Sequence, residues 1–413
     1  MVTVRPFKAY RPPKTLVEEI AALPYDVVNT EEAAAFAKGK PWSFFHITRP
    51  EIDLPREIDI HDDRVYAQGR AALDRFIREG ILVQDKEPFF YLYAQKMGDH
   101  IQTGIVGCVS ADEYNADLIK KHELTRKDKE DDRTRHVVTQ NANAEPVFLT
   151  YRARREIDEM VFSYTQKNSP EYDFVADDGI RHTLWVIRDK ALNARIADAF
   201  RQVPCLYVAD GHHRSASAAR AKAEKMKHDP NPSPDKEYNY FLAVIFPHDQ
   251  LRIMDYNRLV KDINGLTNDQ FLAKVGEKFS VTHAVAPKPR GQGRFGMYLD
   301  GMWYELTAKP GTFDPHDPIN SLDVAILQNN LLAPILGIAD PRTDKRIDFV
   351  GGIRGIKELE KRVNSGEMKV AFAMYPTTID QLMAVADAGK IMPPKSTWFE
   401  PKLRSGLFVH LLD

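Results

Sequence analysis

Val203-Pro204-Cys205-Leu206-Tyr207-Val208-Ala209-Asp210-Gly211-His212-His213-Arg214-Ser215-Ala216-Ser217-Ala218-Ala219-Arg220-Ala221 is the stretch that decides the fold. Its apolar first half predicts a strand, Asp-Gly is a turn dipeptide, and the alanine-rich second half predicts a helix that begins at once. His212, His213, Arg214 and Ser215 therefore fall on the first helical turn. Unbonded backbone N–H groups and the positive end of the helix dipole favour an anion there. Gly211 lets backbone approach a ligand closely, and Arg214 can meet phosphate oxygens with a paired contact. Either histidine can donate or transfer a proton near neutral pH. Asp210 can orient a histidine, hold a magnesium ion that travels with phosphates, or simply cap the helix. Two histidines and an arginine crowding a positive helix end are unfavourable without an anion, which favours the functional reading. A zinc or iron site on His212 and His213 is the weaker reading, since adjacent side chains at a helix start point different ways.

Outward from this unit the same alternation recurs. Helices are expected over 62–79, 191–201, 324–336, 358–363 and 379–389. Strands are expected over 41–47, 89–94, 102–110, 146–151, 182–187, 240–246, 281–287, 347–350, 370–375 and 406–412, with further strand signals over 294–307. Thr30 is the expected N-cap of an alanine-rich helix. The pattern predicts a mixed α/β (α+β) architecture. Three prolines in His228-Asp229-Pro230-Asn231-Pro232-Ser233-Pro234-Asp235 predict an exposed connection. That places one α/β region at 1–228, holding the turn at 210, and another at 236–413.

At 413 residues the chain is long enough for more than one core. Its net charge of −2 supplies no field for a polyanion, so nucleic acid is not an expected partner. The two cysteines, Cys108 and Cys205, sit in apolar company and predict no disulfide framework. No apolar run approaches the roughly 20 residues that span a bilayer, and the first residues lack a signal-peptide core. A reduced, cytoplasmic location is the expectation.

Further candidates lie elsewhere. His122-Glu123, followed by Arg126, Lys127, Lys129 and Arg133, suits a lid in which Glu123 is a general base; Asp128, Glu130, Asp131 and Asp132 also suit a solvated surface helix. Glu145 is a second base candidate, and Asp26 follows Pro24-Tyr25, a turn that suits either a structural or a site role. Lys395, Ser396 and Thr397, in Pro393-Pro394-Lys395-Ser396-Thr397, offer a cation and two hydroxyls for phosphate, with Lys402 further along. The loop is no Walker A, because no glycine-rich lead precedes it and no helix follows. Gly351-Gly352-Ile353-Arg354-Gly355 lacks dinucleotide-loop spacing and is read as a strand-to-helix turn.

Two resemblances rest on these residues. Locally, the strand–Asp-Gly-His-His-Arg–helix unit resembles the phosphate-binding signature of the ParB/sulfiredoxin superfamily, nearest its free serine kinase branch. That implies a ParB/sulfiredoxin-like core in which Gly211, His212, His213 and Arg214 cradle nucleotide phosphates. His212 stands where sulfiredoxins carry their catalytic cysteine, so sulfinic-acid chemistry is not implied. Over nearly the whole chain the sequence resembles the bacterial domain-of-unknown-function ten-fifteen family. The matching segments are Arg5–Ala9, Pro24–Val27, His122–Thr125, Glu145–Leu149, Ala209–Arg214 and Met392–Leu407. The family name carries no activity; the likeness of the turn to the superfamily implies a phosphotransferase or phosphohydrolase, a nucleotide such as ATP or ADP, magnesium, and a small hydroxylated or phosphorylated metabolite such as serine or phosphoserine. Asp210, Glu123, His212 and His213 would be its catalytic groups. A nucleotide-binding switch without turnover is the alternative, ahead of a metal-dependent phosphodiesterase or nuclease, which the charge balance disfavours.

Overall fold

A nine-stranded sheet organises the first of two units, Met1–Leu251 with Pro401–Asp413; the second is Arg252–Glu400. The structure is a computed structural model describing residues 1–413. Strands of the large sheet are β1 (Val4–Arg5), β2 (Phe90–Met97), β3 (His100–Ser110), β4 (Ile119–Lys120), β5 (Val147–Tyr151), β6 (Tyr172–Val175), β7 (Arg181–Ile187), β8 (Leu206–Asp210) and β9 (Tyr240–Pro247). They lie in the order β4-β8-β5-β9-β3-β2-β7-β6, with β1 beside β3. β5 is buried throughout and β9 nearly so, which explains why both read as unbroken apolar runs. β8 runs parallel to β4 and antiparallel to β5, and its register against β5 shifts between Val208 and Asp210. That irregularity re-aims the end of the strand just before the turn.

Six helices of this unit matter here: α1 (Thr30–Ala37), α2 (Asp63–Arg78), α3 (Lys127–Gln140), α4 (Arg155–Lys167), α5 (Lys190–Phe200) and α6 (His212–His228). α2 buries Val65, Tyr66, Leu73 and Phe76 on one face, the stripe expected of 62–79. α6 buries Ala216, Ala218 and Ala219 into the core formed with Val147, Leu149, Leu206 and Val208. Small side chains on that face let the helix lie close to the sheet.

The second unit is built on six antiparallel strands: β10 (Tyr256–Val260), β11 (Phe279–His283), β12 (Arg294–Leu299), β13 (Met302–Ala308), β14 (Ile347–Gly351) and β15 (Val370–Ala373). Their order is β11-β13-β12-β15-β10-β14. Helices α7 (Asn268–Lys278), α8 (Ile356–Asn364) and α9 (Ile379–Asp387) complete it. Both units are mixed α/β, as expected.

Several local expectations are corrected. Residues 41–47 form no strand; a turn leads into helix Phe45–Thr48, because apolar residues on both faces fit a buried helix as well as a strand. Asn29, not Thr30, caps α1, accepting from Glu32 N at 2.8 Å while Glu32 accepts from Asn29 N at 2.9 Å. The charged stretch is helical from Lys127 onward, with Asp132, Thr134 and His136 buried. Over 324–336 a short helix, Asp323–Leu327, widens into a π-turn at Gln328–Leu332. At the C-terminal end only His410–Leu411 is strand. The proline-rich connection at 229–235 lies within the first unit, since β9 follows it in the middle of the large sheet.

Candidate functional site

The turn at 210 takes the expected form. β8 ends at Asp210, Gly211 adopts φ 94°, and α6 starts at His212 with no side chain capping it. A Cβ on Gly211 would lie 3.0 Å from Arg214 Nε, so glycine is required by backbone angle and by the packed guanidinium alike. The N–H groups of the first turn keep their capacity for an acceptor.

The surrounding groups divide into two clusters. In the first, Arg214 is 9% exposed and donates to Pro146 O at 2.6 Å. Its other terminal nitrogen lies 3.4 Å from Asp26 and 3.9 Å from Asp210. Burial opposes the guanidinium charge, but Asp26, Asp210 and Glu145 outweigh it and raise the pKa. Asp210 is held well below the usual carboxylate range: burial pushes it up, while Lys402, 3.0 Å away, and Arg214 pull it further down. Burial raises Glu145, with Arg214 opposing. Glu145 accepts from Ser405 Oγ at 2.7 Å and from Tyr25 N at 3.0 Å. The expected free fork on Arg214 is thus an internal clamp: its charge is shared among carboxylates of three separate segments.

The second cluster is imidazole. His122 and His212 are 2% and 5% exposed, with ring centroids 4.4 Å apart and planes perpendicular. Nε2 of His212 has no hydrogen-bond partner, while the Val208 backbone lies against the His122 ring. Burial lowers His122 to about 4, and burial with His122 nearby lowers His212 well below its ordinary value, so both rings are neutral at pH 7. Glu123, half exposed, reaches within 4.0 Å of His212 Nδ1. His213 Nε2 accepts from Arg126 N at 3.1 Å, which ties α6 to the start of α3 and leaves the proton on Nδ1. α3 also holds α6 through Arg220 on Asp131, at 2.6 Å.

Among the sequence candidates, Asp210, Gly211, His212, His213, Arg214 and Glu123 come together, with Asp26 and Glu145. Ser215 stands apart: it is fully buried and its hydroxyl donates to Gly211 O at 3.2 Å, so the helix start itself uses it. Lys395, Ser396 and Thr397 belong to the second unit. There Ser396 Oγ donates to Pro393 O at 2.6 Å, and Ser396 O accepts from Thr377 Oγ1 at 2.8 Å. Ser405 and the pairing of Lys402 with Asp210 were missed; they come from a segment about two hundred residues away, which local pattern does not reach. No group of three or more His, Cys, Asp or Glu residues is arranged to cage a metal ion. No helix is long and apolar enough to cross a membrane.

As the six collinear motifs imply, the chain belongs to the DUF1015 family, described as a protein of unknown function, whose model matches residues 4–325. That span holds Asp26, His122, Glu145 and the whole turn, but not Lys402 or Ser405. Similar solved structures include a free serine kinase variant in complex with AMP, with 12% identity over 71% of this chain and 87% of that one, TM-score 0.36. SbnI with C-terminal truncation, from Staphylococcus aureus, shows 12% identity over 74% and 87%, TM-score 0.40. A conserved hypothetical protein from Pyrococcus furiosus shows 13% identity over 74% and 94%, TM-score 0.35. Comparison with curated proteins gives no match.

Proposed function

We propose that this chain is a phosphotransferase or phosphohydrolase acting on a small hydroxylated metabolite, with the transferring phosphate held at the start of α6. One observation carries the reading: an uncapped helix start lies beside two buried imidazoles, and Nε2 of His212 has no protein partner. Each unpaired buried polar group costs about 1–3 kcal/mol, and a phosphate oxygen accepting from an imidazole N–H recovers that cost. Lys402, 13% exposed on its side chain, adds a nearby positive charge.

The nucleotide partner enters through the likeness of the Asp-Gly-His-His-Arg turn to nucleotide-phosphate signatures. Without a protein cage, magnesium fits only as an ion carried on the phosphates, with Asp210 or Asp26 supplying one oxygen; it would screen developing negative charge. In the transfer, the substrate oxygen bonds to phosphorus as the bond to the leaving phosphate oxygen breaks. Glu123, exposed and beside His212, accepts the hydroxyl proton. His212 donates to a phosphate oxygen.

The test is phosphorus NMR of the full chain with ATP or ADP and serine, then with other small alcohols, and with phosphoserine for the reverse reaction. Phosphate transfer that is lost in His212→Ala is expected. Nucleotide and substrate left unchanged by the wild type would reject the enzyme. Tight calorimetric binding without product would then favour the nucleotide-binding switch.

A further inference from the structure

The second unit contains a buried cation that the chain does not neutralise. Arg258, on β10 between β14 and β15, is 4% exposed. Its guanidinium donates to Lys395 O at 2.9 Å and to Tyr256 O, and no aspartate or glutamate forms an ion pair with it. Asp255, the nearest carboxylate in sequence, alternates to the other face of the strand, where it accepts from Asn257 at 2.6 Å and lies 3.7 Å from Lys288. Burial pulls Arg258 down to about 10. A buried, uncompensated charge is expensive, and carbonyl dipoles repay only part of that cost.

The groups around it resemble a recognition surface. Lys395 is exposed, holds φ 56°, and carries its ammonium 5.5 Å above the Tyr256 ring. Left-handed backbone at a residue other than glycine persists where the surroundings enforce it, and the hydrogen bond from Arg258 to Lys395 O does so here. Tyr256, Phe349 and Trp398 are half-buried; Tyr256 lies 5.2 Å from Trp398 and 6.0 Å from Phe349, and Arg258 is 5.5 Å from the Phe349 ring. Two cations therefore share one aromatic face.

We propose that Arg258 and Lys395 form an oxyanion site in the second unit, for a ligand in which a short linker joins a phosphate to a planar ring, as ribose does in a nucleoside monophosphate. The oxyanion supplies the missing counter-charge, and the ring lies against Tyr256, Phe349 and Trp398. The site stands whether or not phosphate transfer occurs at the turn at 210.

Trp398 is one of four tryptophans and reports directly. Titrating the full chain with AMP, inorganic phosphate and adenosine, with Trp398→Phe as reference, isolates its emission. AMP is expected to change that signal and bind more tightly than phosphate, with adenosine giving none. Lys395→Ala, at an exposed position, and Arg258→Met are each expected to weaken AMP by about tenfold or more. His212→Ala should leave the signal intact. An unchanged AMP affinity in Lys395→Ala, a signal abolished by His212→Ala, or adenosine binding as well as AMP would overturn the proposal.

Discussion

Arg214 and Arg258 are both buried arginines, and they are held in opposite ways. Arg214 draws Asp26, Asp210 and Glu145 around it, from three segments of the chain. Arg258 has only carbonyl oxygens and aromatic rings. The first charge is part of the architecture; the second has no carboxylate from the chain beside it. An arginine in a promising motif is therefore not by itself a ligand contact: what matters is whether its counter-charge is already in the chain.

The largest expected effect follows from breaking the internal clamp. Arg214→Met leaves Asp26, Asp210 and Glu145 without their shared cation and should cost about 3–5 kcal/mol in denaturant unfolding. Arg258→Met strands no carboxylate, so it should cost about 2 kcal/mol or less in the same experiment. Equal losses would erase the contrast between the two arginines.

The imidazole pair sharpens the comparison through pH. Below about pH 6.5 the unfolded chain takes up a proton that buried His122 refuses until about pH 4, so stability is full above that window and falls as pH drops through it. His122 alone contributes roughly 3 kcal/mol to that loss. His122→Leu should flatten the dependence between pH 6.5 and 4, measured by urea unfolding at a series of pH values; an unaltered slope would show that the ring is not desolvated. The smallest effect concerns Lys395. Replacing it with glycine relieves the left-handed backbone and should raise stability by up to about 1 kcal/mol, seen as a small rise in Tm.

The turn was legible in the sequence because its signals are local: an apolar run, a turn dipeptide and an alanine-rich helix adjoin one another. The mixed α/β class was legible for the same reason. The pairings around Arg214 were not, since Asp26, though a candidate, is 188 positions away and Lys402 lies 192 positions from Asp210. Tertiary folding also decided 41–47, where apolar residues on both faces fitted either secondary structure. The prolines at 230, 232 and 234 marked a connection correctly but not a unit boundary, because a loop looks the same whether it joins two units or two elements of one.

The return of Pro401–Asp413 to the first unit has a consequence for biosynthesis. Residues 252–400 are inserted into that unit's sequence, and Lys402 and Ser405 follow them. The ribosome therefore makes the whole second unit before the groups that pair with Asp210 and Glu145 exist. A nascent chain halted between residues 214 and 402 carries the Asp-Gly-His-His-Arg turn but leaves Asp210 and Glu145 without these two partners. The site becomes electrostatically whole only once residue 405 has been made, so products terminated earlier lack a finished site.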